Sequence, residues 1–393
     1  MYRKFTADYI FTGYEILPAN FVLITNPEGV IIDIQDINNS GDNIEVFKGL
    51  LTPGFINAHC HVELSYLKDI IPTGTGLVEF VQQVMRHRTS FDEAKQKAMQ
   101  NAVQEMYKAG IVAVGDICNT TDSIIVKQQS LLYWHNFIEV SGFIDAAATK
   151  RLADINPVYT NFVANNLTQT SLSPHAPYSV SKTLFTELNQ ATANQLVSIH
   201  NQECKAENEL YQNKSGDFLE LYKNFGIDIS SFKPTGKTSL QSWLPYFNKN
   251  QSIISVHNSF TSEADIDFYK SLSASNPSFF FCLCVNANKY IEQMLPPIEL
   301  LRKNNCLIVM GTDSYASNWQ LNILEEIKTI QSATANSIPL AEVLQWATIN
   351  GARALQLENL LGSFEKNKKP GVVLIEGMDD LILIEGCSSR RIL

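Results

Sequence analysis

Thr52-Pro53-Gly54-Phe55-Ile56-Asn57-Ala58-His59-Cys60-His61 is a short apolar run that closes on two histidines one residue apart. Apolar residues following a Pro-Gly turn predict a buried strand. In extended backbone, side chains at i and i+2 point to the same face, so both imidazoles can leave the strand end together and grip one ion. An isolated His-x-His is better read as two residues sharing a face, so the rest of the chain decides its meaning.

Working outward, the same kind of apolar run recurs at residues 112–117, 137–140, 170–173, 196–199, 253–256, 279–284 and 307–310. Helical periodicity fills much of the space between: 78–88, with Val78, Val81, Val84 and Met85 on one face, then 92–108, 184–194, 263–272 and 340–355. With residues 54–57 these make eight strands alternating with helical stretches, which predicts a TIM-like (β/α)8 barrel. Short β-segments at 9–11, 21–25 and 30–34, and again at 372–375 and 381–384, predict a small β-sandwich domain formed from both termini. The expected division is 1–52 plus 362–393 for that domain and 53–361 for the barrel.

Barrel active sites lie at the C-terminal rim, and the unusual polar residues fall there. His200 ends the run 196–199, with Glu203 three residues on. A third imidazole can complete a coordination sphere that keeps a position open for water, while the nearby carboxylate reaches that water without being a ligand. Asp313 follows 307–310; its carboxylate could ligate, accept the proton of a metal-bound water, or cap a helix. His175 and His257 follow the fourth and sixth runs, where either could also be a surface or satisfied core histidine. Five of the seven histidines nevertheless sit at strand ends, which chance placement does not explain. His87 and His135 are assigned no chemistry.

Composition narrows the function classes. The chain of 393 residues is 45% hydrophobic and 18% charged, an ordinary globular balance. Its net charge of −10 offers no basic footprint for nucleic acid. The longest apolar run, 279–285, is far short of the roughly 20 residues of a membrane helix, and no signal peptide is evident behind Met1-Tyr2-Arg3-Lys4-Phe5. Seven scattered cysteines with no CxxC pair read as reduced thiols of a cytoplasmic protein. Pro72-Thr73-Gly74-Thr75-Gly76 reads as a mobile loop, without the Gly-Lys-Ser/Thr ending of a phosphate loop.

The chain resembles the amidohydrolase superfamily, in the branch of cytosine, guanine and adenosine-type deaminases and triazine hydrolases. The resemblance spans nearly the whole length. It is carried by Pro53 to His61, by Ser173-Pro174-His175-Ala176-Pro177-Tyr178, by His200-Asn201-Gln202-Glu203, by Gly311-Thr312-Asp313, and by Ala347 to Leu355 as the closing helix. It implies His59, His61, His200 and Asp313 as metal ligands, Glu203 as proton shuttle, His257 as holder of the attacking hydroxide or the substrate, and His175 as a substrate contact. Two-metal members usually add a bridging Lys or Glu at the third or fourth strand. Residues 171–179 contain neither, so one metal is expected, with Glu139 as the exception to watch. Two segments depart from the pattern: Cys284-Val285-Asn286-Ala287-Asn288 stands where Cys-Pro-x-Ser-Asn is common, and Pro370-Gly371 where Ala-Asp is usual.

Bound Zn²⁺ lowers the pKa of water from near 16 to about 7, with Fe²⁺ or Mn²⁺ as alternatives. Glu203 could then pass the proton to a ring nitrogen as hydroxide attacks the adjacent carbon and ammonia leaves. Deamination of an amino-substituted heterocycle or nucleoside is therefore the expected reaction. Glu63 and Ser65, just past His61, either face the substrate or, for Glu63, orient a ligand histidine; a Glu here also resembles deaminases of adenine-bearing nucleosides such as aminodeoxyfutalosine. The alternatives are opening of a cyclic amide, dechlorination, or a non-catalytic scaffold, the last opposed by the intact His59, His61, His200, Glu203 and Asp313. The expected partner is a small-molecule substrate, with no nucleic acid and no membrane, and a homodimer is the assembly to consider.

Overall fold

The computed structural model describes residues 2–88, 92–272 and 278–393. Each of the eight apolar runs is a strand: β1 (Phe55–Cys60), β2 (Ile111–Cys118), β3 (Tyr133–Val140), β4 (Thr170–Pro174), β5 (Leu196–Asn201), β6 (Ser252–His257), β7 (Ser278–Leu283) and β8 (Leu307–Met310). Neighbours pair in parallel, β1 to β4 in one four-stranded sheet and β5 to β8 in another. Parallel partners need crossover connections, and the helices that supply them bury the outer face of the strands.

The two half-barrels meet at two seams. At one, Cys60 of β1 bridges in parallel to Asp313, just past β8. At the other, the His200 N–H donates to the His175 carbonyl at 3.0 Å and the Ser198 N–H to Ser173 Oγ at 3.1 Å. Ile56, Ala113, Phe137, Leu196, Ile254, Phe280 and Val309 pack into one cluster, which fits a filled barrel interior rather than a pore. Ala352 and Ala354 join it from the helix Ile349–Ala354, which touches β1, β6 and β8 and so closes the end opposite the rim. Gly351 is required there, because a Cβ would come within 2.7 Å of Ile56 Cβ.

The periodic stretch expected as one helix over 340–355 is two, Leu340–Ala347 and Ile349–Ala354, broken at Thr348 with φ −130° and ψ −91°. The break turns the second piece under the barrel, and Thr348 Oγ1 donates to the Leu344 carbonyl at 2.6 Å. Helix α1 (Leu77–His87) lies above the rim and α2 (Glu93–Lys108) leads back to β2. The Pro72–Gly76 loop is tied down rather than loose: Gly74 N–H donates to Tyr290 O at 2.7 Å and Gly76 N–H to Ile291 O at 3.0 Å.

The small domain consists of two sheets. One orders Ile31–Asp36, Phe21–Thr25, Arg3–Thr6 and Glu45–Val46; the other orders Ser388–Arg391, Val373–Glu376, Leu50–Thr52, Tyr9–Phe11 and Ile16–Pro18. Phe5, Ile10, Leu23, Leu51 and Leu374 pack between them. The strand expected at 381–384 is instead a turn bridged between Asp379 and Ile382, with Ile382 and Ile384 exposed. The last strand is the polar Ser388–Arg391, which gains its place by pairing with Val373–Glu376.

Candidate active site

β1 delivers His59 and His61 to the rim, where their Nε2 atoms lie 3.2 Å apart. His200, at the end of β5, brings its Nε2 to 3.2 Å from that of His61. Its Nδ1 lies 2.7 Å from the His175 carbonyl, a contact that fixes the tautomer and leaves Nε2 free to ligate. Asp313 Oδ1 stands 3.4 Å from His61 Nε2 and 3.7 Å from His59 Nε2. Its other oxygen accepts from Ser317 Oγ at 2.6 Å, which turns Oδ1 toward the imidazoles.

These donors fit a divalent ion. Atoms about 2.0–2.1 Å from a tetrahedral zinc lie about 3.3 Å from one another, close to the separations found here. The groups His59–His61–Asp313 and His59–His200–His257 each place their ligand atoms within 4.8 Å. Burial holds the His59 and His61 imidazoles well below the usual histidine range, with neighbouring histidines adding to the shift for both, so they stay neutral and ready to bind. Burial opposes ionisation of Asp313, but His61, His257 and the Ser317 hydroxyl outweigh it and hold the carboxyl below its ordinary value.

The backbone at the rim is unusual. Gln202, His257, Asn258 and Asp313 all adopt positive φ, between 48° and 72°. Non-glycine residues remain in this region only where surroundings over-determine them. Asp313 N–H is held by the His59 carbonyl at 3.1 Å, Gln202 N–H by Glu207 Oε1 at 2.7 Å, and Asn258 Oδ1 by Ser255 Oγ at 2.6 Å. Gly311 approaches so closely that an added Cβ would lie 2.8 Å from His59 Cβ and 2.9 Å from the sulfurs of Cys282 and Cys284.

Glu203 and His257 face the same cavity, with Glu203 Oε1 3.5 Å from His257 Nε2. Among the described residues neither ring nitrogen of His257 has a hydrogen-bond partner, although the residue is buried. Burial, then the charge of Asp313, pushes the Glu203 carboxyl well above its ordinary range. The cavity, about 220 Å³, runs outward from this floor. Its lining is apolar where α1 contributes Leu77, Phe80, Val81 and Val84, and polar where Asn119, Glu139, Ser141 and His175 contribute, with Arg88 and Ser314 also reaching it. His175 Nδ1 is tied to Ser179 Oγ at 2.7 Å.

Glu63 and Ser65 are engaged elsewhere. The Glu63 carboxylate accepts from the backbone N–H groups of Asn119 and Thr120 at 3.1 Å, and Ser65 Oγ donates to the Val62 carbonyl at 2.7 Å. Glu63 therefore neither faces the cavity nor orients a ligand histidine; it staples the loop after β1 to the loop after β2. Asp116 does the reverse: it accepts from Val62 N–H at 2.8 Å while paired with the fully buried Lys127 at 2.5 Å. Sequence reasoning also passed over Ser317 and Asn119, which gave no signal, and the wall made by α1, whose apolar face was legible but had no assigned neighbour.

A rim of this kind on such a barrel defines a metal-dependent hydrolase of carbon–nitrogen bonds. The chain belongs to the amidohydrolase family, which it matches over residues 50–387. Among curated relatives it is 27% identical over 380 residues to an adenosine deaminase of Helicobacter pylori, covering 90% of each chain. Its fold is similar to that of Helicobacter pylori aminofutalosine deaminase in complex with methylthio-coformycin, at a TM-score of 0.80 and 23% identity, over 96% of this chain and 93% of that one. An adenosine deaminase from Xanthomonas campestris with bound zinc shares the fold at a TM-score of 0.69 and 20% identity, over 95% and 84%. Among the described residues no helix is long and apolar enough to cross a membrane.

Proposed function

We propose that the protein deaminates an amino-substituted purine carried on a nucleoside, of the adenosine or aminodeoxyfutalosine type, with a single Zn²⁺ held by His59, His61, His200 and Asp313. The observation that carries this reading is the gathering of three imidazole nitrogens and one carboxylate oxygen around His61, which lies 3.2 Å from His59, 3.2 Å from His200 and 3.4 Å from Asp313, on a cavity floor shared with Glu203 and His257. The names of the relatives support the substrate class, and the zinc in one structural neighbour supports the metal. Seven cysteines, none in a disulfide, support a reducing, cytoplasmic setting.

Zinc bound there would supply a water that ionises near pH 7, roughly. Glu203 would take the proton and deliver it to the ring nitrogen beside the amino-bearing carbon, which makes that carbon electrophilic. Burial raises the carboxyl well above its ordinary range, which favours the protonated form that the transfer passes through. His257, facing Glu203 across the floor, would orient the attacking oxygen, and His175, fixed by Ser179, would meet the ring. The second proton of the water passes to the amino group, which departs as ammonia while the added oxygen becomes the ring carbonyl.

The test is ammonia release by the zinc-loaded protein across adenine, guanine and cytosine and their nucleosides. Release from an adenine nucleoside supports the proposal. Turnover that opens a ring without releasing ammonia would replace it with a different hydrolysis at the same site, and no turnover on any of these compounds would remove the purine assignment.

A further inference from the structure

Glu139, the last residue but one of β3, lies in the polar lining of the cavity, and the proposed chemistry leaves it without a task. Asn119 Nδ2 donates to its Oε2 at 2.7 Å. The other oxygen, Oε1, is buried and has no hydrogen-bond partner among the described residues, with His200 Nδ1 at 3.8 Å. A buried carboxylate oxygen left unpaired costs more than a typical hydrogen bond returns. A donor on the occupant of the cavity would remove that cost.

The chemistry of the occupant says which donor. When the amino-bearing carbon of a purine sits over the metal-binding floor, the exocyclic N–H groups are at the reacting centre. The remaining ring nitrogens of a glycosylated adenine are acceptors only. The donors left are the hydroxyls of the sugar. The wall is built to meet them, since Ser141 lies two residues beyond Glu139 toward the opening and Arg88 Nη2 braces Asn119 Oδ1 at 2.7 Å. Leu77, Phe80, Val81 and Val84 of α1 offer hydroxyls nothing, so the sugar's polar edge is met by the polar part of the lining, to which Glu139 and Ser141 belong. Carboxylates read ribose hydroxyls in the same way in dinucleotide sites.

We infer that Glu139 is a specificity-determining residue that accepts a hydrogen bond from a ribose hydroxyl of the substrate, so that the enzyme selects ribonucleosides over free bases and deoxygenated sugars. The inference rests on the deaminase reading above. Asn119 acts as the positioning residue that keeps the carboxylate turned.

The experiment is a cycle between residue and hydroxyls. kcat/KM for adenosine and 2′,3′-dideoxyadenosine is measured on the zinc-loaded wild type and on Glu139→Gln, with zinc content and thermal unfolding recorded for both. The wild type should prefer adenosine by at least about tenfold, as expected for hydrogen bonds to a charged group, and in the variant the preference should shrink to about threefold or less. Equal preference in the two proteins overturns the inference, as does a wild type that treats the two nucleosides alike, a result that needs no variant to fold. Two zinc equivalents in the wild type falling to one in Glu139→Gln would make this carboxylate a ligand of a second ion, and would also overturn it. If the wild type deaminates neither compound, calorimetric affinities for inosine and 2′,3′-dideoxyinosine still decide the matter. At least about tenfold tighter binding of inosine, lost in the variant, upholds the role of Glu139 while the deaminase reading fails; equal affinity, or no binding, ends it.

Discussion

Replacing Glu203 by glutamine keeps the size and shape of the side chain and removes its ability to carry a proton. The residue is almost fully buried, at 4% exposure, so an isosteric amide leaves the packing around it unchanged. Its carboxylate belongs to none of the clusters of potential ligand atoms at the site, so the donor set is untouched. What disappears is proton transfer, which contributes about 10²–10⁴-fold to such reactions. At 1.36 kcal/mol per tenfold, that is roughly 3–5 kcal/mol of transition-state stabilisation. kcat and kcat/KM should fall together, the signature of an interaction made in the transition state alone. Paired measurements of zinc content and ammonia release on the two proteins check this. A variant that loses its zinc would make Glu203 a ligand, and one that retains turnover would take it out of the mechanism.

The wild type should bind one equivalent of zinc and His59→Ala well below that, with activity lost in the same preparation, because removing a ligand withdraws both ion and activated water; normal turnover at normal metal content in the variant contradicts the assignment. Gly311→Ala should lower Tm and weaken zinc binding, since its Cβ meets His59 Cβ at 2.8 Å and overpacking of this kind costs about 1–3 kcal/mol; unchanged values for both quantities would show that the strand yields at no cost. Burial pushes the Glu326 carboxyl from 4.5 up to about 8. A raised folded pKa stabilises the fold fully below the unfolded value and loses that contribution as pH rises toward the folded one. Glu326→Gln should therefore flatten the decline of Tm between about pH 5 and 8, and parallel curves for the two proteins would refute the shift.

Much of this was legible in the chain because buried parallel strands write themselves as apolar runs. All eight were visible, and the polar residues that interrupt the pattern at their ends, His59, His61, His175, His200, His257 and Asp313, are those the structure gathers at the rim. The misses have physical causes. Ala148–Ala164 carries Pro157 in its interior, which hides a helix from pattern reading. Ser388–Arg391 has no apolar residue and is a strand only because Val373–Glu376 lies beside it. Leu381 to Ile384 looked like a strand, yet only Leu381 and Leu383 are packed, against the main core, from within a turn. Glu63 sits two residues from His61 and faces away, because the short 3-10 helix Val62–Leu67 that begins there turns the chain out of strand register.

The seams between the half-barrels give the proposed zinc a mechanical role. Strands β1 to β4 and β5 to β8 pair in parallel within each half, with register shifts between β1 and β2, whereas the halves join at one seam through the Cys60–Asp313 bridge, the Thr312 and Asp313 N–H groups on the His59 carbonyl and the Asn57–Thr312 bonds, and at the other through hydrogen bonds beside His175 and His200. His59 and His61 belong to the first half; His200 and Asp313 belong to the second. An ion gripped by all four would be a rivet through both joints, at the end of the barrel that the plug formed by Ile349–Ala354 does not reach. Its removal would let the mouth spread while the plugged end stayed shut. Amide protons near Asp313 and His200 would then exchange sooner than those in the middle of either ladder, and the same atoms that prepare the water would set how far the barrel can gape.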